Sequence, residues 1–481
     1  MKVFTHSTYA RFFSLAFVTV LFLNCSGDDG PGTPTPDPDP DPNETGFENS
    51  AIPFISINTN GNTIVNEPKV IADMNIYVNQ TLQLSTPIGI EFRGSTSLRL
   101  FEKKSYGIET RNAADEDIDL EILGLPEEED WILNGPYSDK TLLRNVLIYQ
   151  ISNEMGRYAP RTRFVELQIN GSYRGVYAFM EKIKRDGDRV DLETLTTADS
   201  NPDLITGGYI LKIDKTSGDT ENDDWPGDQD YTEFLGFRSD FDPNGNRINI
   251  PPYGPKQGPE TYFLYEYPKN TNITDAQKTY IQQYISDFES ALLGDNFSIG
   301  QRTYLDYIDR DSFVDFFLLN ELTANPDAYR LSTFMHKDRG GKLAMGPIWD
   351  FNLAFGNDGR SQTQSWIYRY NEIAPSDLWL VHFWWTRLME DPEFKDAIKA
   401  RWNSLKPTLL NSNRINAMID THVQLLDQNG ALGRNYDKWR VIGVPLPFNS
   451  FVGATYEEEI QYTKNWINDR INWMDSQIQG F

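Results

Sequence analysis

Cys25 is the only cysteine among 481 residues, and it closes an apolar N-terminal run. Whatever folds beyond it does so without disulfides and without thiolate-held metals. Histidine is nearly as scarce. His6, His336, His382 and His422 are the four, and His6 precedes the apolar run, so a multi-histidine zinc centre is not expected. Cohesion must come from apolar burial, and any metal must be held by oxygen ligands, which selects magnesium, manganese or calcium. Lys and Arg number 44 against 70 Asp and Glu, a net charge of −26. That balance argues against nucleic acid as a partner, because phosphate neutralisation needs clustered cations.

Lys2 and Arg11 precede the apolar run from Phe12 to Leu23. A basic start followed by about a dozen apolar residues forms a secretory signal; a membrane span would need roughly 20. A cysteine at its end marks a bacterial lipoprotein signal over 1–25, with Cys25 as the lipidated mature N-terminus, although Phe22-Leu23-Asn24 is a loose cleavage box. Thr-Pro and Asp-Pro repeats follow as far as Asn43. Proline has no amide to donate and aspartates repel one another, so 26–50 reads as an extended tether. The acids just after the cysteine resemble the surface-export signal of Bacteroidetes lipoproteins. The expectation is an exported chain on the outer membrane or cell surface, touching the membrane only through its lipid.

About 435 residues remain, more than one ordinary core of ~150, which predicts two lobes or one elaborated domain. Residues 51–215 read as β-rich. Short runs such as Ile52 to Ile57, Met74 to Val78 and Tyr106 to Thr110 alternate in part, and Asn170-Gly171 marks a hairpin between Arg163–Ile169 and Gly175–Met180. A helix is expected over Thr141–Met155, capped by Asp139 and stopped at Gly156. Residues 216–262, rich in Asp, Gly and Pro, read as an irregular acidic insertion. In it Asp240 to Asn246 has half of a calcium-loop pattern, but Pro251 stands where the bidentate glutamate belongs, so an acidic turn is expected. Residues 263–481 turn helical around one strand pair near Ser332–His336 and Lys342–Met345, with one long helix over Phe383–Lys399. The order is α+β, a β-rich lobe before a helix-rich one.

Two segments carry chemistry. In Arg93-Gly94-Ser95-Thr96-Ser97 a small-residue turn after a strand offers amides that can approach phosphate oxygens. Lys103 and Lys104 follow, and alternation favours Lys104 sharing an inward face with Tyr106 and Ile108. In the second segment Asp327 lies in a loop past an apolar helix, and Asp350, followed by Asn352, comes after a hairpin that can return it to Asp327. Two carboxylates and an amide make a hard-cation site of the magnesium kind.

Together, Arg93-Gly94, Lys103 to Tyr106, Leu143-Arg144-Asn145, Gly175 to Ile183, Gly208 to Ile213 and Trp349 to Asn352 resemble the CotH kinase family from about residue 52 to residue 357. The resemblance implies an atypical two-lobed kinase-like fold, with 51–215 binding nucleotide and 263–481 catalytic. It implies ATP with Mg2+ or Mn2+, and transfer of the γ-phosphate to a protein Ser or Thr. It assigns Asp327 and Lys104 to catalysis, Asp350 and Asn352 to the metal, and Arg93, Gly94, Ser95, Lys104, Glu154 and Glu181 to the nucleotide, with Glu154 a candidate ion-pair partner of Lys104 and Glu181 competing for a polar role near the nucleotide. Ser332 stands where many kinases have a metal-binding asparagine, and Asn352 where many family members have an acid. A non-catalytic pseudokinase module that binds a glycan or protein at the surface is the alternative, and a hydrolase using Asp327 and Asp350 a third reading.

Overall fold

The structure, a computed structural model, describes residues 50–216, 230–256 and 258–481. The expected signal and all but the last residue of the tether lie outside it, as does the start of the acidic insertion.

Strands β1 (Phe54–Asn58), β2 (Val70–Val78) and β3 (Thr81–Arg93) form an antiparallel meander. A five-residue helix, α1 (Thr96–Leu100), precedes β4 (Ser105–Thr110), and a small hairpin of β5 (Leu120–Ile122) and β6 (Leu125–Glu128) precedes β7 (Asp130–Asn134). Helix α2 (Arg144–Glu154) leads to the hairpin β8 (Thr162–Ile169) and β9 (Ser172–Glu181), which turns at Asn170-Gly171. The order β1-β2-β3-β4-β7-β9-β8 closes into a barrel because β8 pairs in parallel with β1. Closure leaves no unpaired edge. Period-two alternation sends Ile55, Met74, Ile90, Ile108, Leu133 and Phe179 inward, with Trp131 stacked on Phe179 at 5.1 Å.

Strand β10 (Tyr209–Ile213) opens a second sheet. With β11 (Asp230–Tyr231), β12 (Gly236–Arg238), β13 (Gly254–Pro255), β14 (Tyr262–Tyr267), β15 (Thr333–Lys337) and β16 (Leu343–Met345), it completes the strands. The sheet runs β12-β14-β10-β15-β16, all antiparallel, while β11 and β13 pair apart. Residues read as irregular insertion thus supply three whole strands, β11, β12 and β13, and the first residue of β14. The Asp240–Asn246 stretch is the expected turn: Asp242 Oδ1 accepts the amides of Asn244 at 2.8 Å and Asn246 at 2.9 Å.

The helices are α3 (Asp275–Leu293), α4 (Arg310–Thr323), α5 (Tyr370–Ile373), α6 (Trp384–Leu388), α7 (Pro392–Leu405), α8 (Ser412–Asp427), α9 (Ala431–Lys438) and α10 (Tyr456–Gln479). The single helix expected over Phe383–Lys399 is two. Pro392 sits in the first turn of α7 behind Asp391, whose carboxylate accepts the Glu393 amide, and a proline there cannot continue a helix from upstream. One core runs from the outer faces of β7 and β9 through α2 and the second sheet to α10. Mixed helix and strand content of this kind is α+β.

Candidate functional site

A cleft opens where the ends of β3, β7 and β9 meet α2 and the segment Trp349–Asn352. Arg93, Gly94 and Ser97 line one side, Ala178 and Met180 the back, Asp139, Asn145 and Tyr149 the α2 side, and Trp349, Asp350 and Asn352 the far side. Its enclosed part holds about 100 Å³, below the ~300 Å³ of small-molecule pockets, so a nucleotide would extend out of it. Gly94 is required where it stands. Its φ is +111°, and a Cβ there would lie 2.4 Å from Ser97 Oγ. The Arg93 guanidinium lies 5.7 Å from the centroid of the Trp349 ring.

Helix α2 is anchored by Asp139, whose carboxylate accepts the Thr141 and Arg144 amides at 3.1 and 2.9 Å and pairs with the buried Arg144 guanidinium. The helix then holds the metal-type loop. Asn145 Oδ1 accepts the Phe351 amide at 2.6 Å, and the Tyr149 hydroxyl accepts the Asp350 amide at 3.0 Å. Asp350 itself sits at φ +58°, a left-handed conformation that costs a non-glycine residue energy and is found at functional sites. Asn325 ties the two acidic loops together, its Nδ2 donating to the Asp350 carbonyl at 3.3 Å and its Oδ1 accepting the Asp327 amide at 3.2 Å. Asp327 lies beyond the cleft lining and accepts Arg330 Nη2 at 2.9 Å. Below it the buried pair of Glu321 and Arg470 locks the end of α4. Glu321 also accepts the Ile367 and Tyr368 amides, each at 2.8 Å.

The acids repel one another. Burial, then the charges of Asp327 and Asp214, push the Asp350 carboxyl up to about 7, against the pull of the Asn352 amide and the Lys215 ammonium. Carboxylates and an amide, with no histidine or thiolate among them, match a hard divalent cation, and such a cation would relieve the repulsion. The residues present therefore fit the metal that the sequence implies.

Other residues singled out above lie elsewhere. Lys104 is not turned inward beside Tyr106. The pleat begins only at Ser105, so Lys104 is still in the turn after α1, where its ammonium donates at 2.7 Å to each of the Leu98 and Phe101 carbonyls. A five-residue helix leaves such carbonyls without partners, and a cation suits them. Lys103 is the buried one, 2% exposed, bonded to Val176 O at 2.6 Å and Asn435 Oδ1 at 2.9 Å. Ser95 accepts Arg99 Nη2 at 3.0 Å and does not line the cleft. Glu154 pairs with Arg414 of α8 at 3.1 Å and is not the partner of Lys104. Nine residues past Asn145, it lies about 180° around the helix. Glu181 alternates to the other side of β9 from Ala178 and Met180, where Arg161 Nε meets its carboxylate oxygens at 3.0 Å.

A family model described as CotH kinase protein matches residues 90–474, which takes in every residue of the cleft. The chain belongs to the CotH kinase protein family. Inner spore coat protein H of Bacillus subtilis (strain 168) is 33% identical over 96 residues, 20% of this chain and 24% of that protein. The CotH assignment thus rests on the whole-domain match, and the relative is matched over about a quarter of its length.

The sequence motifs include Asn145 without giving it work, and leave out Tyr149, Asp214 and Arg330. Asn145 and Tyr149 are four apart on one apolar-looking helix face, and a polar pair at that spacing was the available signal. Asp214 follows a buried strand, and only the sheet order brings it to Asp350.

Proposed function

We propose that the protein is an atypical, two-lobed kinase-like phosphotransferase that moves the γ-phosphate of ATP to a protein Ser or Thr with Mg2+ or Mn2+. The observation that carries this reading is the meeting of Asp327, Asp350 and Asn352 beside a cleft whose facing wall is Arg93-Gly94. The barrel with α2 is then the nucleotide lobe, and the second sheet with α3–α10 the catalytic lobe. Asp350 and Asn352 would hold the cation, and Arg93 with the Gly94 turn the phosphates. A bound divalent cation supplies charge neutralisation at the phosphoryl oxygens. Asp327, fixed by Arg330, takes the proton of the acceptor hydroxyl as its oxygen bonds to phosphorus and the bond to the leaving diphosphate breaks. Family membership supports the nucleotide reading. The N-terminal signal and tether favour an exported, lipid-anchored protein whose acceptor lies in the envelope or outside it.

The test is incubation of the folded domain with labelled ATP and Mg2+ or Mn2+, alone and with casein-like acceptors. Transfer that disappears in Asp327→Ala supports the reading, and absence of transfer under all conditions contradicts it. A second reading is favoured by the neutral Asn352 and by the engagement of Lys104 with its own helix. Metal-dependent ATP binding without transfer would make this a non-catalytic surface module for a glycan or protein partner.

A further inference from the structure

A primary amide carries an acceptor oxygen and a donor nitrogen in one plane, and Asn145 has only the oxygen engaged within the fold. We propose that Asn145 Nδ2 donates to a non-bridging phosphate oxygen of the nucleotide, beside the cation held at Asp350. This inference rests on the nucleotide-binding reading of the same cleft.

Asn145 is the second residue of α2 and is half-buried, whereas Arg144 before it and Val146 to Tyr149 after it are buried. Its Oδ1 accepts the Phe351 amide at 2.6 Å. An N–H bonds only to an acceptor, so this contact fixes the oxygen on the Phe351 side and turns the nitrogen away from it. Among the described residues no acceptor is bonded to Nδ2, yet Asn145 lines the cleft together with Arg93, Gly94, Asp350 and Asn352. Asp139, the other acid lining the cleft, is already committed to the Thr141 and Arg144 amides and to the Arg144 guanidinium. The donor is thus left for whatever fills the cleft. Phe351 directly follows Asp350, so a phosphate that shares a cation with Asp350 comes close to the amide gripping Phe351. The first turn of α2 adds the positive end of a helix dipole, which favours an anion there. A neutral donor also suits a place beside a metal. Its nitrogen has no lone pair to ligate the cation and no charge to repel it, while its bond to a charged phosphate oxygen is of the strong kind.

The full chain is titrated by calorimetry with Mg-ATP as wild type, Asn145→Asp and Asn145→Ala, in low and in high salt. Asp keeps an oxygen for the Phe351 amide and loses only the donor, whereas Ala loses both. Loss of one charge-assisted hydrogen bond weakens Mg-ATP about tenfold or more, and that loss is expected in both variants. High salt screens a distant charge but does not restore a broken contact, so the ratio of wild type to Asn145→Asp is expected to persist in it. Wild-type affinity in Asn145→Asp overturns the assignment and leaves Asn145 only a support for Phe351. Wild-type affinity in Asn145→Ala overturns it too, as does an Asn145→Asp loss that vanishes in high salt, which would be repulsion without contact. A wild type that binds no ATP overturns the nucleotide reading and this inference with it, whereas the other contrary outcomes remove this inference alone.

Discussion

The two segments that drew attention in the sequence end in opposite electrostatic conditions. At the barrel end three cations are satisfied from within: Lys104 by the carbonyls of α1, Lys103 by Val176 and Asn435, Arg144 by Asp139. At the acidic corner burial, then the charges of Asp327 and Asp214, drive the Asp350 carboxyl up to about 7. Those three cations are neutralised within the fold, whereas Asp350 keeps a strongly perturbed carboxyl, and perturbation by burial and like charge is a mark of working sites.

The comparison can be broken at either end. The largest effect is expected from Asp139→Ala, which strands the buried Arg144 guanidinium. Removal of one partner from such a pair costs about 3–5 kcal/mol, to be read in the denaturant midpoint. Lys103→Ala takes the ammonium from the buried Val176 carbonyl, while the Asn435 amide oxygen keeps the Val176 amide, at a cost of about 1–3 kcal/mol. Asp350→Asn has the opposite sign. The folded-state value of Asp350 lies above its ordinary 3.8, so the carboxyl withdraws stability as pH rises from about 4 to about 7 and keeps it withdrawn above that. The neutral variant should melt with wild type near pH 4 and several degrees above it at pH 8. A melting curve for Asp350→Asn that tracks wild type at every pH would mean that the acids do not repel. The smallest effect belongs to Lys104→Ala, below about 1 kcal/mol as for other half-exposed charge contacts. A larger loss, or a loss of ATP binding, would return Lys104 to the site.

What could be read in advance follows from the range of the forces involved. The apolar helix ahead of Asp327, observed over Arg310–Thr323, was legible because apolar spacing acts within a few residues. The hairpin at Asn170-Gly171 was legible for the same reason. Asp327 and Asp350 were legible because one short hairpin joins them. Lys104 was misjudged because two-residue alternation was extended one position ahead of the strand, and Glu154 because its helical phase was not counted from Asn145. Asp214 and Lys215 were out of reach, since β10 joins β14 and β15 only through pairings across more than 50 residues. Asn435 was invisible in the same way, a polar residue on the short helix α9 that reaches back to Lys103.

The central claim is that the acidic corner is completed by a divalent cation carrying ATP. Its most direct test is a calorimetric titration of ATP with and without Mg2+, on wild type and Asp350→Asn, at pH 6 and pH 8. The account predicts saturable binding that needs Mg2+, is tighter at pH 8 because the cation displaces a proton from Asp350, and is lost in Asp350→Asn. Binding that ignores Mg2+, pH and the substitution would contradict it.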